Sequence, residues 1–111
     1  MYNDPEYRQN NMWIVLKLLK EFRIIHWNYF LYTLHCLEYG KSIEEALMEI
    51  KEKKDIIREA TFINKEGNVL PNTCYSYMRS FLEEANLINK ISPFESKLSE
   101  EADKFFSLIN I

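Results

Sequence analysis

The sequence predicts a mainly α-helical domain that carries a small antiparallel β-hairpin, and three observations lead there. Apolar residues recur at helical spacing in several separate segments of the 111-residue chain, the signature of helices lying on a core. Only two Gly and three Pro are present, which leaves little material for long loops. One stretch, "LINKISPFESKL" over 87–98, alternates apolar and polar residues on either side of a turn-like "SPFE". An apolar fraction of 47% with 14% aromatics is enough for one folded core. A single domain follows.

Residues 1–10 are polar, include Pro5, and read as a flexible N-terminal lead-in to a domain over 11–111. Between 11 and 39 the chain is strongly apolar. Trp13, Leu16 and Leu19 share a helical row with Ile14, Leu18 and Phe22 beside it, and Phe30, Leu31, Leu34 and Leu37 continue the pattern up to a stop at Gly40. The spacing is compatible with one bent helix or with two. The apolar arc is broader than one core contact needs. The segment is therefore expected to face its own core and a second subunit, with Trp13, Leu16, Leu19, Trp27 and Tyr29 as dimer-interface candidates.

"KSIEEALMEI" opens with Ser42 as N-cap and Glu45 three residues on, the capping-box pattern. Ile43, Ala46, Leu47 and Ile50 supply the inward stripe. The helix is expected to run on through "KEKKDIIREATFI", where Glu49 and Lys53 form an i, i+4 pair, and "NKEGNVLP" is the clear loop. The next helix spans 72–86, capped by Asn72 or Thr73. Steps of 100° put Cys74, Met78, Phe81, Leu82 and Ala85 on one face, flanked by Tyr75 and Tyr77. Asn72, Ser76, Arg79 and Ser80 lie on the opposite face near its start, and Glu83 and Glu84 near its end. Asn86 stands where the helix must stop, and Asn tolerates the left-handed conformation second only to Gly. Ser99 caps a last helix over 99–110 with Ala102, Phe105, Phe106 and Ile109 inward.

Charge and composition exclude several function classes. The net charge is −3, which counts mildly against nucleic acid as a partner. The distribution is uneven: Lys51, Lys53, Lys54, Arg58 and Lys65 fall within 51–70, and the C-terminal forty residues are net acidic. Cys36 and Cys74 share no metal-type spacing and read as small buried residues, pointing to an intracellular, cytoplasmic protein. His26 and His35 are nine positions apart, out of phase on a single helix, so no metal site is expected. Charged residues interrupt 12–39 too often for a membrane span, and no signal-peptide pattern precedes Met12. Phosphate-cradling loops, nucleophile elbows, HExxH and helix-spaced acid/base pairs are missing. No cofactor and no catalytic residue is expected.

"FLYTLHCLEYGKSIEEALMEI", "NTCYSYMRSFLEEANLINKI" and "SPFESKLSEEADKFFSLI", in that order, resemble a winged helix-turn-helix domain. In that family two helices, a recognition helix and a two-stranded wing follow one another, often with a C-terminal helix. "LEEANLI" is similar to the family's "LEEAGLI", with Asn86 in place of Gly, and "KLSEEADKFF" is similar to its "LTEEGRKFL". The resemblance covers about residues 28–109. It departs in two places: some twenty residues (51–70) precede the recognition helix, and an additional hydrophobic N-terminal helix precedes the first.

The resemblance implies a recognition helix over 72–86 entering the major groove, a wing over 87–98 and a C-terminal helix over 99–110. Arg79 would reach a guanine edge or a phosphate, and Asn72, Thr73, Ser76 and Ser80 would hydrogen-bond. Lys90 and Lys97 would touch the backbone from the wing, with Lys53, Lys54 and Arg58 as a second positive edge. Without it, the Ser76–Arg79–Ser80 face is an ordinary solvated surface, Lys51–Lys54 a face with intrahelical ion pairs, and Tyr75 and Tyr77 core or interface residues. Two functions follow as expectations. The first is a homodimeric, sequence-specific double-stranded DNA-binding transcriptional regulator. The second is a protein-binding module on the same scaffold, a small viral or plasmid-borne inhibitor or adaptor.

Overall fold

A computed structural model of the chain describes residues 5–71 and 73–108. Six helices and three strands follow in the order α1 (Pro5–Phe22), β1 (Ile24–His26), α2 (Trp27–Glu38), α3 (Ile43–Glu52), α4 (Lys54–Glu59), α5 (Thr73–Glu84), β2 (Ile88–Ser92), β3 (Glu95–Leu98) and α6 (Glu100–Leu108). The mainly α reading with a hairpin holds, and a third strand completes the sheet. Helix α1 begins inside the segment expected to be a lead-in, at Pro5. Proline is well tolerated in a first helical turn, where its missing N–H has no partner to lose.

The apolar segment 11–39 is two helices, and the break has a local cause. Arg23 adopts a left-handed φ of 62°, and its N–H closes α1 by donating to the Leu19 carbonyl at 2.8 Å. The chain then runs extended through β1 and re-enters a helix at Trp27. The buried face of α1 is Ile14, Val15, Leu18 and Leu19, whereas Trp13 is 46% exposed. Of the row expected through Trp13, Leu16 and Leu19, Leu19 is buried, Leu16 is partly buried and Trp13 faces outward.

Helix α2 is the hub: it touches α1, α3, α4 and α5 as well as β1. That is why its sequence is apolar on most sides. Trp27, Tyr29, Phe30, Leu31, Thr33 and Cys36 are all buried. The expected dimer-interface assignment is corrected here: Leu19, Trp27 and Tyr29 lie in the chain's own core, and Leu16 is partly buried against it. The surplus of apolar surface that suggested a second subunit is satisfied by four helices of the same chain.

Caps and turns sit where local chemistry places them. Helix α2 ends in a Schellman motif, with Lys41 N–H donating to the Cys36 carbonyl (3.0 Å), Gly40 N–H to Leu37 (3.2 Å) and Gly40 at φ +83°. Ser42 caps α3 with the reciprocal Glu45 bond of a capping box. The helix expected to continue from α3 instead breaks at Lys53 and restarts as the six-residue α4. The amide of Asn28 closes α4 by donating to the carbonyls of Ile57, Arg58 and Ala60. Asn86 ends α5 at φ 60°, and Leu87 N–H returns to Leu82 (2.9 Å) while Asn86 N–H returns to Glu83 (3.1 Å). This is again a Schellman motif, with Asn where Gly is usual.

The sheet order is β1-β3-β2, antiparallel throughout. Ile25 faces Ser96 across β1 and β3, and Lys90 faces Ser96 across β2 and β3. Buried Trp27 donates from Nε1 to Ser96 Oγ at 3.1 Å and stacks on Tyr75 at 4.9 Å and 11°. One tryptophan thus joins α2, β3 and α5. The stack draws Tyr75 into the core, so the buried arc of α5 is Cys74, Tyr75, Met78 and Leu82. Phe81, expected inward, is 58% exposed, and Ala85 is exposed as well. Ser99 caps α6 by accepting from Ala102 N–H (3.1 Å) and donates to the Asn86 carbonyl (2.7 Å). Ala102 and Phe106 point inward; the Phe105 side chain and Ile109 lie outside what is described.

Candidate functional site

The surface singled out by the sequence is the outward side of α5 and the hairpin beside it. Thr73, Ser76 and Ser80 are exposed on α5; Asn72 lies outside the described residues. Ser76, Ser80, Arg79 and Lys90 line one shallow groove of about 340 Å³ between α5 and the β2–β3 turn. The helix and the hairpin therefore bring four of the expected site residues together.

Arg79 does not project into that groove as a free cation. Its side chain is only 12% exposed and pairs through Nε with Glu83 at 3.0 Å. Nη2 donates to the Ser92 carbonyl at 2.7 Å, and Nη1 donates to the Pro93 carbonyl. The planar guanidinium fork suits this double engagement, which a lysine cannot reproduce. The expectation that Arg79 reaches a base edge is corrected accordingly: it fastens α5 to the hairpin turn, and its charge is offset by Glu83. The residue is a positioning element for the groove.

Of the other cations expected at the site, Lys90 borders the groove and the rest lie elsewhere. Side chains alternate between the faces of a strand, and Lys97 pairs with Asn89 and Ile24 while Lys90 pairs with Ser96. Lys90 and Lys97 therefore leave opposite faces of the sheet. Lys97 borders a second depression of about 530 Å³ together with Asn86, Asn89, Glu100 and Glu101. Lys53, Lys54 and Arg58 occupy a third place, on α4 and at the break before it. There Arg58 pairs with Asp55 at 3.2 Å, and Lys54 lies 5.4 Å from the centre of the Phe22 ring. The wing cations expected to act together are separated by the sheet itself.

The chain matches no protein-family model, and comparison with curated proteins and solved structures yields no match. The site is defined by its own geometry.

Three features of that geometry lay beyond sequence reasoning. Tyr77 (37% exposed) and Phe81 are one turn apart on the outer side of α5, adding aromatic surface next to Ser76 and Ser80. His26 sits at the junction of β1 and α2, beneath the turn residue Phe94. Glu49 gathers three donors, Lys41 Nζ (2.8 Å), Tyr32 Oη (2.6 Å) and Cys36 Sγ (3.7 Å). These ligands hold the Glu49 carboxyl down to about 2, Lys41 first and Tyr32 next. Burial pushes the Cys36 thiol up, which makes it a poor nucleophile. Among the described residues no three His, Cys, Asp or Glu side chains form a metal-binding group. No helix among them is long and apolar enough to cross a membrane.

Proposed function

We propose that the chain is a winged helix-turn-helix module that binds double-stranded DNA as a homodimer and regulates transcription in the cytoplasm. The observation that carries this reading is the pairing of α5 with the hairpin. Its exposed hydroxyl groups at Thr73, Ser76 and Ser80 lie beside a turn that Arg79 fastens to the same helix. Small hydrogen-bonding side chains on the first turns of a helix suit entry into a major groove. Lys90, at the rim of the same groove, supplies a phosphate contact. Glu84 falls at the end that must point away from the backbone, and Glu83, which lines the groove, has its charge offset by Arg79. The dimer would use Trp13 and the partly buried Leu16 on α1, in place of the residues that belong to the core.

Binding to mixed genomic fragments, measured by gel shift at about 100 mM salt and again at lower salt, tests the reading. Affinity that falls as salt rises is expected, because phosphate contacts release counterions. Absence of binding even at low salt rejects it. Light scattering reads the dimer separately.

A second reading has its own observation. Tyr77 and Phe81 are exposed on α5, Lys97 points away from the groove, and the net charge is −3. Aromatic residues on a helix beside neutral hydroxyls suit a protein surface better than a phosphate backbone. On this reading a pull-down returns one stoichiometric protein partner and no DNA, and Phe81→Ser abolishes the capture.

A further inference from the structure

We propose that His26 is a proton-operated clamp on the β2–β3 turn, holding the Phe94 ring of that turn against the start of α2 while neutral and releasing it when protonated. The inference concerns the conformation of the hairpin and is independent of what α5 binds.

His26 is both the last residue of β1 and the N-cap of α2. Its Nδ1 accepts a hydrogen bond from Asn28 N–H at 3.1 Å. Only the neutral ring with its proton on Nε2 can do so. On its face the ring lies nearly parallel to Phe94, with centroids 6.0 Å apart and 12° between planes. The same junction carries a backbone bond from Trp27 N–H to the Phe94 carbonyl at 2.8 Å, and His26 pairs with Glu95 across the strands. One imidazole therefore touches the first turn of α2 and the tip of the hairpin at once.

Protonation sets two donors against each other. A proton on Nδ1 faces Asn28 N–H, so the cap bond is lost and the ring must turn. Two charged groups and one phenol surround it. Arg58 of α4 opposes the imidazolium and Glu95 of β3 favours it, while the Tyr29 ring of α2 lies 6.2 Å away. Burial, the largest influence, holds the His26 imidazole below its ordinary 6.5. Glu95 gives the protonated ring a new partner, so each protonation state has its own position. Phe94 loses its stacked neighbour in the second. Arg79 holds the turn through the Ser92 and Pro93 carbonyls, and Trp27 N–H holds the Phe94 carbonyl, so the Phe94 ring is what is released while the strands stay paired. The folded value lies below the ordinary 6.5, so the clamp is complete above about pH 6.5 and is lost only as pH falls through that lower folded value.

The test is a nuclear magnetic resonance titration of the whole chain from about pH 8 to about pH 5, following the His26 and His35 rings separately from backbone amides. The amides of Asn28, Phe94 and Glu95 should move with the His26 ring, and the protection of the Asn28 amide, measured against its intrinsic exchange rate at each pH, should fall by about fivefold when the cap is lost. His26→Asn keeps a cap acceptor that does not titrate, and there the same amides should stay fixed. The proposal is overturned if His26 does not titrate above about pH 5. It is overturned equally if His26 titrates while Asn28 and Phe94 stand still, or if their movement persists in His26→Asn. Should that variant fail to fold, the wild-type titration decides alone.

Discussion

Arg79 Nη2 lies 2.7 Å from the carbonyl oxygen of Ser92, so the helix with the exposed hydroxyl face and the hairpin beside it are one mechanical piece. A guanidinium in this place contributes through geometry more than through charge. Arg79→Ala is expected to destabilise the fold by roughly 1–2 kcal/mol, because the turn carbonyls are near enough to solvent to regain water. A loss of several degrees in thermal midpoint should accompany it. Arg79→Lys should recover only part, since an ammonium cannot bridge both carbonyls and Glu83. Any effect on DNA affinity should be equal for all sequences tested. Unchanged stability together with altered base preference at one position would return Arg79 to base reading.

What was legible in the sequence follows from the distance over which each feature is decided. The Ser42–Glu45 box, the Gly40 stop, the Asn86 stop and the turn at Pro93 all rest on residues within six positions of one another. Those were readable. Strand β1 was not, because three residues carry no periodicity and their partner β3 lies some seventy positions on. The face of α5 was misjudged for a related reason. Helical spacing permits an arc through Phe81 or through Tyr75, and the choice is made by the Trp27 ring, which stacks on Tyr75. The role of Arg79 likewise depends on carbonyls thirteen and fourteen positions away. Trp27 and Tyr29 looked like surplus apolar surface because the sequence does not reveal that α2 is enclosed on several sides.

The bond from Trp27 Nε1 to Ser96 Oγ is buried and spans α2 and β3. Ser96→Ala leaves an indole N–H without a partner in the core, where an orphaned donor costs roughly 1–3 kcal/mol. Trp27→Phe removes the donor but also part of a ring stacked on Tyr75. The two losses share one interaction, so the double variant should be less destabilised than the sum of the singles. Urea unfolding of the four proteins measures this. Strict additivity would mean that the bond contributes nothing.

Stability should also depend on acid through Glu49. Its carboxyl is held at about 2 against an ordinary 4.5, with Lys41 the largest cause and Tyr32 next. A carboxylate lowered on folding contributes stability that is complete above the unfolded value and fades as pH falls toward the folded one. The urea midpoint should therefore decline as pH drops below about 4.5. Glu49→Gln abolishes the titration and should flatten that part of the profile. Tyr32→Phe removes one donor and should raise the folded Glu49 value toward the ordinary one, so the decline still begins near 4.5 but is smaller and ends at higher pH. If Glu49→Gln shows the same acid profile as the parent chain, the Lys41–Glu49–Tyr32 group is not what links α2 and α3 energetically.

Lys90 and Lys97 test the DNA reading against the sheet register. Lys90 pairs with Ser96 and borders the α5 groove, while Lys97 pairs with Asn89 and borders Glu100 and Glu101 on the other face. Each phosphate neutralised by a protein cation adds about 0.9 to the slope of log affinity against log salt. Lys90→Ala should therefore lower that slope by roughly one and weaken binding to all sequences alike. Lys97→Ala should leave both slope and affinity where they were. Equal effects from both lysines would require the duplex to reach around the sheet, and the groove beside α5 would then be the wrong surface. An effect from Lys97 alone would move the interface to the depression at the start of α6.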